Sequence, residues 1–322
     1  MRLLITGGAG FIGSNLADLA LAAGHEVVIL DDLSTGRGDN VPDGAVFCHA
    51  SILDPGALTA AMAGIDSVVH LAALGSVPRS IADPLATHEA NATGTLRILE
   101  AARAADVGHV VLSSSSSVYG ANPALPKNER EWVRPLSPYA VSKLAAEQYT
   151  LAYQTSYGMD TLAFRFFNVY GPRQHAGHVY AAVIPTFIDQ LLGGDPLTVN
   201  GDGSTSRDFT YVGTVCRVLL DAVERRVAHD EPVNLAFGTN TSLLALIAEL
   251  EAITGSHAER VHRPARPGDV PHSQAANASL RRLFPGVDAV PLRDGLAETV
   301  AWFRTLPGLE RTLASSASGT DG

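Results

Sequence analysis

The sequence predicts an α/β fold: a doubly wound parallel sheet with a smaller C-terminal α/β lobe that takes the substrate. Two observations carry this. Short β-rich runs, apolar on both faces, alternate with helical stretches through the first half, as strands covered on both sides must. A glycine string follows the first of these runs and opens the first helical stretch. The strand candidates are "RLLIT" (2–6), "EVVIL" (26–30), "AVFCH" (45–49), "SVVHL" (67–71), "HVVLS" (109–113) and "TLAFRF" (161–166). Helical patterns lie between them, at 11–23, 86–106 and 137–157. After about Phe167 the texture turns loop-like, in "NVYGPRQHAGHVY" and "VNGDGSTSRDF". Helical patterns return at 181–193, 213–228 and 242–254, with one more strand candidate, "PVNLA". Residues 1–166 are therefore expected to form mainly a dinucleotide-binding domain. Residues 167–310 are expected to form mainly the substrate lobe, with a segment near 213–238 returning to the first domain. The polar end, 311–322, reads as a solvated tail.

The 322 residues suffice for one large domain or two packed lobes. Apolar residues make up 46% and charged residues 17%, which places the chain among globular rather than disordered proteins. A net charge of −10 argues against nucleic acid or an anionic membrane surface as partner. Only Cys48 and Cys216 are present, too few to staple the fold, so a cytoplasmic setting is expected. No apolar run has the length to span a bilayer, and "MRLLITGG" has too short an apolar core for a signal peptide. No metal is expected.

The glycine string "LLITGGAGFIG" places Gly7, Gly8, Gly10 and Gly13 between a strand and a helix. Without side chains, the backbone there can approach a pyrophosphate, and the helix N-terminus offers it unpaired N–H groups. Asp31 and Asp32 end the second strand, at about the ~20-residue distance such sites use. A carboxylate there accepts hydrogen bonds from ribose hydroxyls and repels a 2′-phosphate, so NAD is favoured over NADP, with Arg37 nearby working against that preference. Asp32 taken alone reads equally as a cap.

"PLSPYAVSKLAAEQY" opens as a helix, with Ser137 able to cap it and Pro138 fitting the first turn. Tyr139 and Lys143, four apart, share a face. A phenol normally titrates near ~10. A neighbouring ammonium and a cationic nicotinamide both favour the phenolate, which makes a usable general base for a hydroxyl. The run "SSSSSVYG" (113–120) follows a buried strand directly, which argues against a flexible linker.

With "GGAGFIG", "SSSSSVYG", "SPYAVSK" and "RFFNVYGPRQ" in this order, the chain resembles the extended short-chain dehydrogenase/reductases. Within them it looks most like the nucleotide-sugar 4-epimerases, and "AALGSVPRSI", "YAAVIP" and "NGDGSTSRDF" are similar to the branch acting on N-acetylated UDP-hexosamines. The resemblance implies a homodimer formed through the helices near 86–106 and 139–157. It implies that Ser115 hydrogen-bonds the reacting 4-oxygen together with Tyr139, aided by Lys143. It places Ser113, Asn91 and Phe166 beside the cofactor, with Phe11, Ile12, Ser34, Thr35, Gly36, Ile52, Leu71, Ala72 and Ala73 along it. Asp54 would approach the adenine, or else cap a helix. Ser76, Ser116, Ser117, Asn168 and Gln174 would meet the sugar or diphosphate, Ser116 and Ser117 reading otherwise as loop residues. Arg207 and Arg266 would pair with the UDP diphosphate, or else form surface ion pairs, and Asp269 would bind the uridine ribose.

Two positions carry information by what they are not. Relatives that dehydrate or decarboxylate the sugar carry acids just before Val-Tyr-Gly. Ser116 and Ser117 stand there in this chain, so those proton transfers lack an agent. Ser273 stands where glucose-restricted relatives carry a tyrosine, which leaves room for a 2-N-acetyl group. The implied function is inversion at C4 of a UDP-sugar with bound NAD, UDP-GlcNAc and UDP-GalNAc first and the plain hexoses second. The alternatives are a UDP-glucuronate 4-epimerase, a nucleotide-sugar dehydrogenase or reductase that releases NADH, and a non-catalytic NAD-binding regulator. Uronate-specific relatives resemble "FTVYGPRQR", where this chain has Asn168 and His175.

Overall fold

A computed structural model describes residues 1–176, 182–264 and 272–306. The first half contains β1 (Arg2–Thr6), α1 (Phe11–Ala22), β2 (Glu26–Asp31), β3 (Val46–His49), α2 (Pro55–Ala61), β4 (Ser67–His70), α3 (Val77–Ala82), α4 (Pro84–His88), α5 (Gly94–Ala104), β5 (His109–Ser115), α6 (Pro138–Tyr157) and β6 (Asp160–Phe166). The rest contains β7 (Val169–Tyr170), α7 (Val183–Gly193), β8 (Leu197–Asn200), β9 (Ser206–Arg207), β10 (Thr210–Tyr211), α8 (Val212–Glu224), β11 (Val233–Leu235), β12 (Thr241–Ser242), α9 (Leu243–Thr254), β13 (Arg260–Arg263), β14 (His272–Ser273), α10 (Ala278–Leu283) and α11 (Leu292–Phe303).

Seven strands form one parallel sheet in the order β11-β6-β5-β4-β1-β2-β3. The chain runs outward from β1 to β3, crosses back to β4, and runs outward again. Between β1 and β4 the order reverses, and a crevice opens at the carboxyl ends of the strands. The strands alternate as the apolar runs require. Leu3, Ile5, Val27, Ile29, Val69 and Val111 bury toward α1, α8 and the later helices. Leu4, Val28, Leu30, Val68 and Val110 bury on the opposite face, with Leu58, Ile98 and Leu99. The first of these cores continues through Ile184, Phe187, Leu246, Leu250, Val300 and Phe303 into the segments after β6. The seventh strand, β11, comes from "PVNLA" after α8, and pairs with β6 from Val233↔Phe164 to Leu235↔Phe166.

The stretch read as one helix over 86–106 is divided. Asp83 caps α4 and Pro84 starts it, and residues Glu89–Thr93 form a π-turn before α5. Side chains account for the wide turn. Asn91 accepts from Leu74 N at 2.7 Å and donates to Ser142 Oγ at 2.9 Å, while Thr95 Oγ1 donates to the Asn91 carbonyl at 2.6 Å. A π-turn of this kind re-aims one residue without ending the helix. β5 also runs two residues past its predicted end, so three serines of the run are strand. Among the described residues, no helix is long and apolar enough to cross a membrane.

Candidate active site

The phosphate loop is built to exclude side chains. Gly7 has φ +71°, and a Cβ on it would lie 2.7 Å from Ala72 N. A Cβ on Gly13 would lie 2.2 Å from the Gly7 carbonyl oxygen. The N-cap of α1 is Gly10, and no side chain caps it. The amides of this first turn are therefore left for an anion that approaches the backbone closely, which is what a dinucleotide pyrophosphate requires. Asp31 braces the loop from β2: its Oδ2 accepts from Ala9 N at 3.0 Å and its Oδ1 from Leu33 N at 2.8 Å. Burial raises the Asp31 pKa above the usual carboxylate value, and these two N–H bonds oppose the rise.

A cavity of about 910 Å³ runs from this loop across the switch point. Gly7, Gly10, Phe11, Ile12, Asp31, Asp32, Ser34, Thr35, Ile52, Leu71, Ala72, Ala73, Ser113, Lys143, Tyr139 and Phe166 are on its wall, as are Ser76, Ser115, Asn168 and Gln174. Four of the expected cofactor residues stand behind the wall. Gly13 and Gly36 give clearance, the latter because a Cβ there would lie 2.9 Å from Asp31 Oδ1. Asn91 is buried and holds Leu74. Asp54 caps α2, accepting from Gly56 N at 2.8 Å and Ala57 N at 3.2 Å, which is the simpler of its two readings.

Tyr139 and Lys143 sit one turn apart at the start of α6, whose cap is Ser137 accepting from Ala140 N at 3.2 Å. Ser115, the last residue of β5, hydrogen-bonds the Tyr139 hydroxyl. Burial raises the Tyr139 pKa above that of a free phenol, and the Ser115 bond opposes this. Ser117 Oγ donates to Ser115 Oγ at 2.9 Å, and Ser117 N donates to it at 3.2 Å. With its acceptor side occupied, the Ser115 hydroxyl is left to donate to a phenolate. Lys143 is buried, and its Nζ donates to Ser113 Oγ at 3.5 Å, which donates to the His70 carbonyl at 3.3 Å. Burial draws Lys143 down to about 8, against the pull of Glu147. Ser116 and Ser117 lie in the 3₁₀ turn after β5, behind Ser115 rather than on the cavity wall.

On the substrate side, Asn168 takes a left-handed φ of 26° and donates from Nδ2 to the Asp208 carbonyl at 3.2 Å. Gln174 Nε2 donates to the Val169 carbonyl at 3.0 Å. Arg207 is on β9, in register with Ser273 on β14, and its Nη1 donates to the Ser206 carbonyl at 2.9 Å. Arg266 and Asp269 lie outside the described residues.

Several residues that shape the site stand outside the motifs. Asp208 is fully buried and accepts from Gly238 N at 3.0 Å, Thr239 N at 3.2 Å, Thr239 Oγ1 at 2.8 Å and Ala275 N at 3.1 Å. It pins the loops on either side of Arg207. Arg79 and Glu89 also line the cavity. A directed chain crosses the switch point behind it. Thr95 Oγ1 spends its proton on the Asn91 carbonyl, so it accepts from His70 Nε2 at 3.0 Å. His70 Nδ1 is then the acceptor from Thr6 Oγ1 at 2.6 Å, and Thr6 Oγ1 accepts from Ala72 N at 3.3 Å. Burial holds His70 neutral, its pKa pushed down to about 3.

The NAD-dependent epimerase/dehydratase family model matches residues 3–236. A UDP-glucose 4-epimerase of Mycolicibacterium smegmatis is 40% identical over 315 residues, covering 94% of this chain and 99% of that one. Among solved structures, the UDP-N-acetylglucosamine 4-epimerase of Methanobrevibacter ruminantium, in complex with UDP-N-acetylmuramic acid, superposes with a TM-score of 0.90 at 36% identity, covering 94% of this chain and 98% of that one. The UDP-glucose 4-epimerase of Thermus thermophilus in complex with NAD gives a TM-score of 0.86 at 36% identity, covering 95% and 99%. The chain belongs to the NAD-dependent epimerase/dehydratase family. It is an NAD-dependent UDP-sugar 4-epimerase.

The loop geometry predicts what removing one glycine does. Protein purified without added cofactor is expected to release NAD on denaturation. Gly13→Ala is expected to release almost none, because its methyl meets backbone that cannot move aside. Chromatography of the released nucleotide checks both. Equal NAD content in the two proteins would contradict the assignment of the loop.

Proposed function

We propose that the sugar inverted at C4 is a UDP-linked 2-acetamido hexose, interconverting UDP-GlcNAc and UDP-GalNAc, with UDP-glucose and UDP-galactose turned over more slowly. The observation that carries the preference is the small side chain of Ser273, in register beside Arg207. The similarity to a UDP-N-acetylglucosamine 4-epimerase supports it. In this reading residues 167–310 supply most of the nucleotide-sugar lobe, with Arg207, Asn168 and Gln174 holding the diphosphate and sugar.

NAD, when bound, supplies a reversible acceptor for the C4 hydride. The chain's own groups then have three tasks. Tyr139 takes the 4-hydroxyl proton as phenolate and later returns it. Ser115 donates to the phenolate and to the sugar oxygen as charge moves between them. Lys143 supplies the positive charge that favours phenolate at neutral pH. The diphosphate contacts leave the 4-keto sugar free to turn and present its other face, and positions 116 and 117, where dehydrating and decarboxylating relatives carry acids, hold serine. Kinetics on UDP-GlcNAc, UDP-GalNAc, UDP-glucose, UDP-galactose and UDP-glucuronate test the assignment. The acetamido pair should show the highest kcat/KM. A highest value with UDP-glucuronate would overturn it.

We also propose that the enzyme is a homodimer. Ile81 of α3, Leu85 of α4, and Val141 and Tyr149 of α6 are exposed, and these three helices pack on one another. An apolar face of this kind on a charged, acidic protein fits a second copy. Light scattering should give a two-chain mass for the wild type and a one-chain mass for Leu85→Asp. A one-chain mass for the wild type would contradict the dimer.

A further inference from the structure

Beneath the serine run lies a pair of charged side chains that the chemistry above does not use. Glu147 is fully buried on α6, about one turn beyond Lys143 and two beyond Tyr139. Arg165 is buried on β6, in register with Ser114 of β5. The guanidinium meets the carboxylate as a fork: Nη2 donates to Oε1 at 2.7 Å and Nε donates to Oε2 at 2.9 Å. Ser114 Oγ donates to the same Oε2 at 2.7 Å. Arg165 Nη1 donates to the Glu129 carbonyl at 3.1 Å, and its guanidinium carbon lies 4.7 Å from the centre of the Tyr119 ring. One pair therefore joins the helix that carries Tyr139 and Lys143, the strand that carries Ser115, the strand that leads to Phe166 and Asn168, and the turn that follows the serines.

Stability is a weak account of such a pair, since desolvation offsets most of the attraction and an apolar pair of equal volume does as well. A fork gives fixed geometry. Ser115 and Tyr139 come from different elements, and their hydrogen bond exists only while β5 and α6 keep their relative placement. The bonds of Glu147 to Ser114 and Arg165 fix that placement one residue from Ser115. Charge points the same way. Lys143, Glu147 and Arg165 are all buried within this cluster, two cations and one anion. While Arg165 neutralises Glu147, the Lys143 charge is left to act on the phenol. Among the described residues, further titratable groups facing the cluster are His70 on β4, which is neutral, the Tyr119 phenol after β5, and Glu129, whose Oε1 accepts from Asn234 N at 3.1 Å.

We propose that Glu147 and Arg165 are positioning residues of the epimerase reaction, holding the Ser115–Tyr139 bond in register and leaving Lys143 as the net charge that acts on Tyr139. The proposal rests on the assignment of Ser115, Tyr139 and Lys143 to the chemistry, so Tyr139→Phe is run beside it. If that variant keeps its activity, the site assignment fails; if it is inactive, the remaining outcomes concern the pair alone.

The test is the pH dependence of kcat, with KM for the UDP-sugar, in Glu147→Gln, Arg165→Met and the double variant, with thermal melting and bound NAD reporting the fold. Each single variant should lose roughly 10–100-fold in kcat, the cost of a small misplacement of reacting groups, with little change in KM. The acid limb of the profile should move in opposite directions. Glu147→Gln removes an anion, eases ionisation of the phenol and moves the limb to lower pH. Arg165→Met leaves Glu147 facing Lys143, cancels its charge and moves the limb to higher pH, each by about one unit. The double variant should return the limb to its wild-type place while kcat stays low. Limbs that stay put, or move together, overturn the proposal. Should a single variant fail to fold, Ser114→Ala decides. It removes one bond to Glu147 and no charge, so kcat should fall severalfold with the limb unmoved, and an unchanged kcat overturns the proposal.

Discussion

Tyr139→Phe is expected to lower kcat by roughly 10²–10⁴-fold, the usual size for losing a general acid–base, while the fold and the bound NAD persist. The phenol ring stays and only the hydroxyl goes, so packing at the start of α6 is kept. In the proposed mechanism, what is lost is the group that carries the 4-hydroxyl proton out and back, together with the hydrogen bond from Ser115. Ser115→Ala is expected to lose activity as well, and Ser117→Ala to lose less. Ser117 acts one step further away, donating to Ser115 Oγ at 2.9 Å. Turnover of the three variants at a common pH orders them, and a Ser117→Ala protein worse than Ser115→Ala would move the assignment along the run.

Ser273→Tyr is expected to abolish turnover of the N-acetylated sugars and to spare or improve that of the plain hexoses. A pocket rejects a larger group by clash, because filling packed space forces strain. The reverse mismatch, a hole beside a smaller sugar, costs less, on the order of 1–3 kcal/mol per missing group. The switch in specificity should therefore be asymmetric: large against UDP-GlcNAc and modest in favour of UDP-glucose. Ser273 sits in register with Arg207, so the new ring would enter beside a residue assigned to the diphosphate. The check is kcat/KM for both sugar pairs in both proteins. A tyrosine variant that keeps its UDP-GlcNAc activity would remove Ser273 as the gate.

Much of this was legible because sheet and phosphate loop are local problems. The strands of the seven-stranded sheet stood out as apolar runs whose ends moved by two residues or fewer, although β3 proves to be a largely exposed edge, and the short strands β7–β10 and β12–β14 gave no such run. Gly7, Gly10 and Gly13 could be read from their place between a strand and a helix, as could the Ser137 cap. The π-turn at Glu89–Thr93 could not, because its cause is tertiary: Asn91 reaches Leu74 and Ser142, both distant in sequence. The same holds for Glu147. Its spacing from Tyr139 and Lys143 is visible in "YAVSKLAAE", but its partner Arg165 becomes a neighbour only once β5 and β6 pair. Asp54 is the converse case, since the cap that the sequence offered as one of its two readings is local and forms as read. Asp208 gave no signal at all: a single acid inside "SRDF" looks exposed until the loops it pins are folded around it.

In the proposed mechanism C4 is inverted by removal and return of its own hydride, with the proton carried by Tyr139. NMR of UDP-GlcNAc deuterated at C4, incubated with the enzyme alone, tests it most directly. The expected product is UDP-GalNAc that keeps its deuterium at C4, with no free NADH and no exchange with solvent. Deuterium washed out of C4, or a 4-keto sugar accumulating with free NADH, would contradict it.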